Sequence, residues 1–173
     1  SIRAILEVET GGKSGFVVPG KPQILFEGHI FWNELKSRGI DPRRYSSIYP
    51  NIVYPKWTKQ YYLGGLREYE RFDQASLINS EAAIESISAG LFQILGQNYK
   101  SCSCSSPLEF WNRMKESEFQ QFIMGIEFIR TQGLSKYLGC HDWLGFALKY
   151  NGPLQEQNRY SDKLEKAWKK YDS

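Results

Sequence analysis

Two carboxylates near the N-terminus have the residue type and the local context that acid–base chemistry needs. Glu9 shares a helical face with the apolar Ile5, whereas Glu7 lies four residues from Arg3, at the spacing of an exposed ion pair. A carboxyl at the C-terminal end of a helix and on its apolar face is favoured in the protonated form. Such a neutral acid can protonate the leaving oxygen of a glycosidic bond. A structural glutamate, bonded to a nearby backbone N–H, is the alternative.

Glu27 is the second candidate, because it opens the next predicted helix. The helix dipole stabilises the ionised form of a carboxylate in the first turn, so the two glutamates would act as one acid and one base. A purely structural role for this first-turn acid stays open. His29 follows two residues later, and a histidine whose nitrogens are satisfied within the fold is the simpler interpretation.

A third segment, residues 86–99, mixes small residues, an apolar strip and isolated amides. Gly90 and Gly96 permit a close approach of the backbone to another element or to a ligand. Gln93 lies among apolar residues, so its amide needs a partner in the core or on a ligand. Asn151 begins a generic Asn-Gly turn after a helix, which by itself indicates little.

The elements that must position these residues form a mainly α (α+β) domain with a short strand or hairpin at residues 23–26, close to the N-terminus. Residues 40–64 hold three prolines, five tyrosines and Trp57, which is typical of a long functional loop. Apolar spacing predicts helices over residues 2–9, 27–37, 66–78, 80–88, 107–115, 118–132, 141–150 and 155–171.

Composition fits one globular domain over residues 1–173, with 41% hydrophobic and 24% charged residues. The aromatic content of 15% suits a groove for sugars or bases. The net charge of +3 is too small and scattered to predict a phosphate-binding stripe, so we expect no nucleic-acid partner. The sequence shows neither a signal peptide nor a run of 18 apolar residues, and its start within a helical pattern is compatible with excision from a longer modular chain.

Metal, cofactor and nucleophile chemistries are poorly supported. The close pair Cys102 and Cys104 is weak support for zinc, so we expect neither a metal nor a cofactor. The odd cysteine count argues against a disulfide framework, although one bridge from Cys140 stays open. Neither a P-loop nor a GxGxxG, HExxH or GxSxG motif is present.

Four separated segments, in this order, resemble the N-acetylmuramidase domain of phage endolysins and related bacterial peptidoglycan-degrading effectors. They are LEVETGG, GKPQILFEGHIF, SISAGLFQILGQNY and DWLGFALKYNGP, followed by the tail YSDKLEKAW. The resemblance implies a lysozyme-like fold and hydrolysis of the β-1,4 bond between N-acetylmuramic acid and N-acetylglucosamine. Parts of the pattern also recur in goose-type lysozymes and lytic transglycosylases.

The resemblance implies that Glu9 is the general acid and that Glu27, a second catalytic candidate, lies close to the cleft. The candidate substrate-binding residues are His29, Tyr62, Ser88, Gln93, Asn98, Tyr150 and Asn151, with Gln93 on the cleft floor and the last two at the glycan-binding wall. Ala89 departs from the family pattern, which has Trp before the glycine, and this difference would reshape a sugar subsite. The Cys102-Ser103-Cys104 region is also unusual.

Several alternatives stay open at this point. A carboxyl separation of roughly 6.5–9.5 Å would favour inversion and roughly 5–5.5 Å retention. A lytic transglycosylase giving 1,6-anhydro products and a non-catalytic peptidoglycan-binding module, which would use the 40–64 loop, are the rival functions. The expected partner is the glycan strand of bacterial peptidoglycan, bound by a monomer in the periplasm or outside the cell. A phage lysin and a secreted effector, which would need an immunity protein, are not distinguished.

Overall fold

The computed structural model describes residues 4–5, 7–8, 14–151 and 159–171. This part of the chain is mainly helical and carries two small antiparallel sheets, as predicted. Its helices are α1 (Gly28–Ser37), α2 (Arg43–Ser46), α3 (Glu68–Ile78), α4 (Ser80–Glu85), α5 (Pro107–Glu116), α6 (Glu118–Thr131), α7 (Ser135–Gly139), α8 (Trp143–Asn151) and α9 (Tyr160–Tyr171). Two 3-10 helices span Gly65–Arg67 and Gly96–Cys102.

The two sheets are built from five short strands. They are β1 (Phe16–Val18), β2 (Lys21–Pro22), β3 (Ile24–Phe26), β4 (Ile87–Ala89) and β5 (Ile94–Leu95). Strands β1 and β2 form a hairpin, and the second sheet has the order β3-β4-β5. One face of this sheet lies on the core, because Ile24, Phe26, Ile87 and Ala89 are almost completely buried.

Three local predictions differ from the structure. The helix predicted over 80–88 ends at Glu85, because residues 87–89 pair with β3 as strand β4. The alanine-rich run favours helix locally, but sheet pairing decides the conformation of its last residues. The loop 40–64 contains the short helix α2, and helix α7 was not predicted.

The described core is one continuous cluster that joins the sheet to the helices from both ends of the chain. Ala4, Ile5, Glu7 and Val8 are helical, and Ile5 is fully buried, as the predicted apolar face requires. Both carboxylate oxygens of Glu7 accept hydrogen bonds from the Lys170 ammonium at 3.1 Å. These bonds join this helical segment to α9. Within the described ranges, no helix is long and apolar enough to cross a membrane.

Candidate active site

Glu27 lies where strand β3 passes into helix α1. Burial alternates along this strand, so Gln23, Leu25 and Glu27 are the less buried residues, between the buried Ile24 and Phe26. The Glu27 N–H donates to the Ser86 carbonyl at 2.8 Å, which extends the pairing of β3 with β4. The Glu27 side chain is only 13% exposed. The strand thus ends by placing a carboxylate at the edge of its open face.

Tyr62 holds the carboxylate of Glu27. The Tyr62 hydroxyl donates a hydrogen bond to Glu27 Oε2 at 2.7 Å. Burial, together with the adjacent carboxylate, raises the pKa of the Tyr62 phenol well above its usual value. A phenol is protonated at neutral pH even at its ordinary pKa, and the raised pKa extends this donor form to more alkaline pH. The sequence predicted both residues as site members, and the structure brings them together.

His29 faces the same carboxylate oxygen. Its Nδ1 lies 3.4 Å from Glu27 Oε2, and its side chain is 23% exposed. Among the described residues, this buried Nδ1 has no hydrogen-bond partner. The interpretation of His29 as a histidine satisfied within the fold is therefore not supported on this nitrogen, and its role in substrate binding stays a prediction.

Trp57 adds an aromatic surface beside this group. Its side chain is 58% exposed, and its indole lies close to the Tyr62 hydroxyl. The Lys59 ammonium stands 5.7 Å from the centre of the Trp57 ring. The sequence pattern indicates only that Trp57 belongs to the loop 40–64. Its exposure beside Glu27 and Tyr62 makes it a site residue that the sequence did not single out.

The open face of the β3-β4-β5 sheet continues from Glu27. Leu25, Ser88 and Leu95 lie opposite one another in register across the three strands, and all three are half-buried. This row is the less buried side of the sheet, because its neighbours along each strand point into the core. Ser88, predicted as a substrate-binding residue, is therefore on the same open face as Glu27.

The turn between β4 and β5 carries Gln93 in an unusual conformation. Gln93 is exposed and has a φ of 46°, in the left-handed region that residues other than glycine seldom adopt. Its side-chain amide donates to the Gly90 carbonyl at 2.9 Å. An exposed glutamine held in such a conformation is a feature that clusters at functional sites.

Helices α6 and α8 hold this turn in place. The Tyr150 hydroxyl donates to the Phe92 carbonyl at 3.1 Å, so Tyr150 lies directly beside the residue before Gln93. A Cβ on Gly125 would come within 2.3 Å of the Phe92 ring, which shows how closely the turn packs on α6. Gln121 Oε1 accepts a bond from the Leu91 N–H at 3.0 Å. Tyr150, predicted as a substrate-binding residue, therefore lies next to the turn that carries Gln93.

The remaining predicted residues are less closely connected. Asn98 is half-buried in the 3-10 helix Gly96–Cys102, and Asn151 is the last residue of α8. Glu9 lies outside the described residues. Gly15 is among the first described residues after it, and its N–H donates to Glu118 Oε1 at 2.8 Å.

The comparison with protein families decides what kind of domain this is. The profile of the N-acetylmuramidases, described as Muramidase, matches residues 1–172. The chain belongs to the N-acetylmuramidase family. The predicted family and the predicted enzyme class, a glycoside hydrolase, are therefore confirmed.

A phage enzyme of known structure has the same fold as this N-acetylmuramidase. The crystal structure of the Burkholderia AP3 phage endolysin matches with a TM-score of 0.88 and 34% identity over 98% of this chain. The chain spans 63% of the length of that endolysin chain. No curated protein sequence matches the chain significantly. The lysozyme-like fold is confirmed by this structural match.

Two departures from the family pattern can now be placed in the muramidase fold. Ala89 is completely buried on the core side of β4, and its effect on a sugar subsite stays a prediction. Cys102, Cys104 and Cys140 are free thiols, and the first two are buried. The described residues contain no group of three His, Cys, Asp or Glu side chains that could hold a metal ion.

Proposed function

We propose that this N-acetylmuramidase cleaves the β-1,4 bond between N-acetylmuramic acid and N-acetylglucosamine in bacterial peptidoglycan. The observation that carries the proposal is the nearly buried carboxylate of Glu27 at the edge of an open sheet face, hydrogen-bonded by a protonated Tyr62. Glycosidases of this kind use two carboxyl groups, one of which must be available as a base or a nucleophile.

Glu9 is the proposed general acid, which donates its proton to the glycosidic oxygen as the bond to the anomeric carbon breaks. Its assignment rests on the sequence pattern and on the anchored segments that flank it. Ile5 is buried on one side, and Ser14 and Gly15 bind Glu118 on the other, at 2.6 and 2.8 Å. These contacts attach the described residues before and after Glu9 to the core.

Glu27 is the proposed second carboxylate, which accepts a proton from the attacking water. The bond from Tyr62 goes to Oε2, so we assign the water to Oε1. Tyr62 orients the carboxylate, and the His29 imidazole, 3.4 Å from Oε2, lies close enough to contact the substrate beside it. In this scheme, the oxygen of water forms the new bond to the sugar, and the proton given up by Glu9 leaves with the product.

Residues of the sheet, of the 40–64 loop and of two helices are proposed to bind the glycan. The exposed face of Trp57 suits stacking against a sugar ring. Ser88, Gln93, Asn98, Tyr150 and Asn151 are proposed as polar partners of the sugar hydroxyl and acetamido groups. The partner would be the glycan strand of the bacterial wall, bound by a monomer, with an immunity protein as a further partner if the chain belongs to a secreted effector.

Mass spectrometry of digested peptidoglycan tests this proposal. Purified peptidoglycan is incubated with the chain, and the soluble fragments are analysed with and without prior borohydride reduction. We expect fragments that end in a reducible N-acetylmuramic acid. Fragments that end in a 1,6-anhydro sugar would indicate a lytic transglycosylase. Binding to the insoluble wall without soluble fragments would indicate a non-catalytic module, and either result would overturn the proposed hydrolysis.

A further inference from the structure

A buried ion pair lies directly behind Glu27 and Tyr62. Glu68 and Arg71 stand one turn apart in helix α3, and their side chains are 0% and 1% exposed. The Arg71 guanidinium binds Glu68 Oε2 at 3.0 Å. A buried pair of this kind usually contributes little net stability compared with apolar residues of similar volume, so its contacts must explain its presence.

Glu68 connects the two chain segments that carry Glu27 and Tyr62. Its Oε2 accepts the N–H of Phe26, the residue before Glu27, at 3.2 Å. Its Oε1 accepts the N–H of Leu63, the residue after Tyr62, and the N–H of Gly64 at 3.1 Å. One carboxylate therefore fixes the backbone next to both Glu27 and Tyr62, the two partners of the hydrogen bond described above.

Arg71 binds the backbone on both sides of Glu27, directly at Phe26 and through Tyr54 at Gly28. Its guanidinium donates to the Phe26 carbonyl at 2.9 Å and to the Tyr54 hydroxyl at 3.2 Å. The same hydroxyl accepts the N–H of Gly28, the residue after Glu27, at 3.2 Å. A side chain at Gly28 could not fit, because its Cβ would come within 2.3 Å of the Tyr54 ring.

We propose that Glu68 and Arg71 are positioning residues that set the distance between the Glu27 carboxylate and the Tyr62 hydroxyl. The pair binds the backbone before Glu27 and after Tyr62, and through Tyr54 it binds the backbone after Glu27. The consequence for catalysis rests on the role of Glu27 proposed above. The consequence for the contact between Glu27 and Tyr62 does not depend on that role.

The first experiment measures the contact itself. 3-Fluorotyrosine is placed at position 62, and the titration of its phenol is followed by fluorine NMR in the wild type, Arg71→Lys and Glu68→Gln. Arg38→Lys is the matched control, because Arg38 pairs with two carboxylates, Glu34 and Glu85, near the opposite end of α1. We expect the titration midpoint to fall in both α3 variants and to stay unchanged in the control.

The second experiment measures turnover at a temperature where circular dichroism shows every variant to be folded. A misplacement of about 1 Å near reacting groups can lower the rate roughly 100-fold, so we expect kcat of Arg71→Lys to fall at least tenfold with a smaller change in KM. Adding Tyr62→Phe to Arg71→Lys should lower kcat less than Tyr62→Phe lowers it in the wild type, because both changes disturb one contact.

The outcomes separate the two proposals. Wild-type titration midpoints and wild-type kcat in both folded α3 variants would overturn the positioning role. Additive effects of Arg71→Lys and Tyr62→Phe on kcat would also overturn it, since they would indicate a general structural defect. Full activity of Glu27→Gln would instead overturn the proposed role of Glu27, while the fluorine titration would still decide whether Glu68 and Arg71 hold the contact.

Discussion

Individual side chains determine how the Glu27 carboxylate is presented. Its Oε2 accepts the Tyr62 hydroxyl at 2.7 Å, so this hydrogen bond orients one oxygen, which also lies 3.4 Å from His29 Nδ1. The raised pKa of the phenol keeps Tyr62 a donor throughout the range in which the enzyme would work. A carboxylate in this setting has a defined orientation, which general-base or nucleophilic chemistry needs.

Removing the Tyr62 hydroxyl tests this contact. We expect Tyr62→Phe to lower kcat on peptidoglycan about ten- to hundredfold, because a hydrogen bond to a charged group contributes about 1.5–3 kcal/mol. Tyr61→Phe is the control. The Tyr61 ring packs on Tyr54 at 5.1 Å between centroids, and phenylalanine keeps this ring. Equal rates of reducing-end release from the two variants would show that Tyr62 does not orient Glu27.

Cysteine reactivity tests the burial of the 3-10 helix Gly96–Cys102 and the residues after it. Burial raises the pKa of the Cys102 thiol to about 12 and also raises that of Cys104. We expect iodoacetamide at pH 8 to modify the exposed Cys140 and to reach Cys102 and Cys104 only after unfolding, because the thiolate is the reactive form. Mass spectrometry of tryptic peptides would contradict this packing if Cys102 in the folded protein reacted as fast as Cys140.

The β4–β5 turn shows how elements, rather than single residues, shape the binding face. Gln93 has a left-handed φ of 46°, and its neighbours are held by Gln121 of α6 and Tyr150 of α8. Such a conformation persists only where the surroundings enforce it. The Phe92 ring, in the residue before Gln93, also lies directly against Gly125 of α6.

A methyl group at Gly125 should disturb the turn. We expect Gly125→Ala to lower the free energy of unfolding by about 1–3 kcal/mol, the usual effect of overpacking, and to lower glycan cleavage as well. Gly139→Ala is the matched control, because a Cβ at Gly139 meets nothing within 4 Å. Urea denaturation curves give both values, and an equal stability of the two variants would contradict the close packing of Phe92 on α6.

Sequence patterns predicted those parts of the site that depend on local structure. Glu27 could be singled out because it opens a helix after an apolar strand. Its contact with Tyr62 could not be predicted, since 35 residues and an irregular proline-rich loop separate the two. Glu68 and Arg71 have the spacing of an ordinary exposed ion pair, and their burial depends on contacts with Phe26 and with residues 51–64, which are distant in the sequence or in irregular structure. The same limit applies to strand β4, whose partner β3 lies far away in the sequence.

The whole molecule depends on contacts between its two ends. Leu164 of α9 is completely buried in the core cluster that also contains Ile5. The Trp168 ring of the same helix packs against His141 in a tilted arrangement at 4.3 Å between ring centroids, and Lys170 binds Glu7 at 3.1 Å. The C-terminal helix therefore stabilises the segment that precedes the proposed acid.

Truncating Leu164 tests this connection. We expect Leu164→Ala to lower the free energy of unfolding by about 2–5 kcal/mol, as for other buried leucines. Leu77→Ala is the control, because Leu77 is 89% exposed and such surface changes stay within about 0.5 kcal/mol. Differential scanning calorimetry compares the two, and equal transition temperatures would contradict the docking of α9 on the core.

Glu9 is the residue on which the proposed hydrolysis depends most directly. The decisive measurement is the initial rate of reducing-end release from purified peptidoglycan by the wild type, by Glu9→Gln and by Glu7→Gln, in which the changed carboxylate is the one that binds Lys170. Loss of a general acid costs about 10²–10⁴ in rate, so we predict a fall of at least roughly 100-fold for Glu9→Gln and a near-wild-type rate for Glu7→Gln. Release by Glu9→Gln at the wild-type rate would contradict the proposed mechanism.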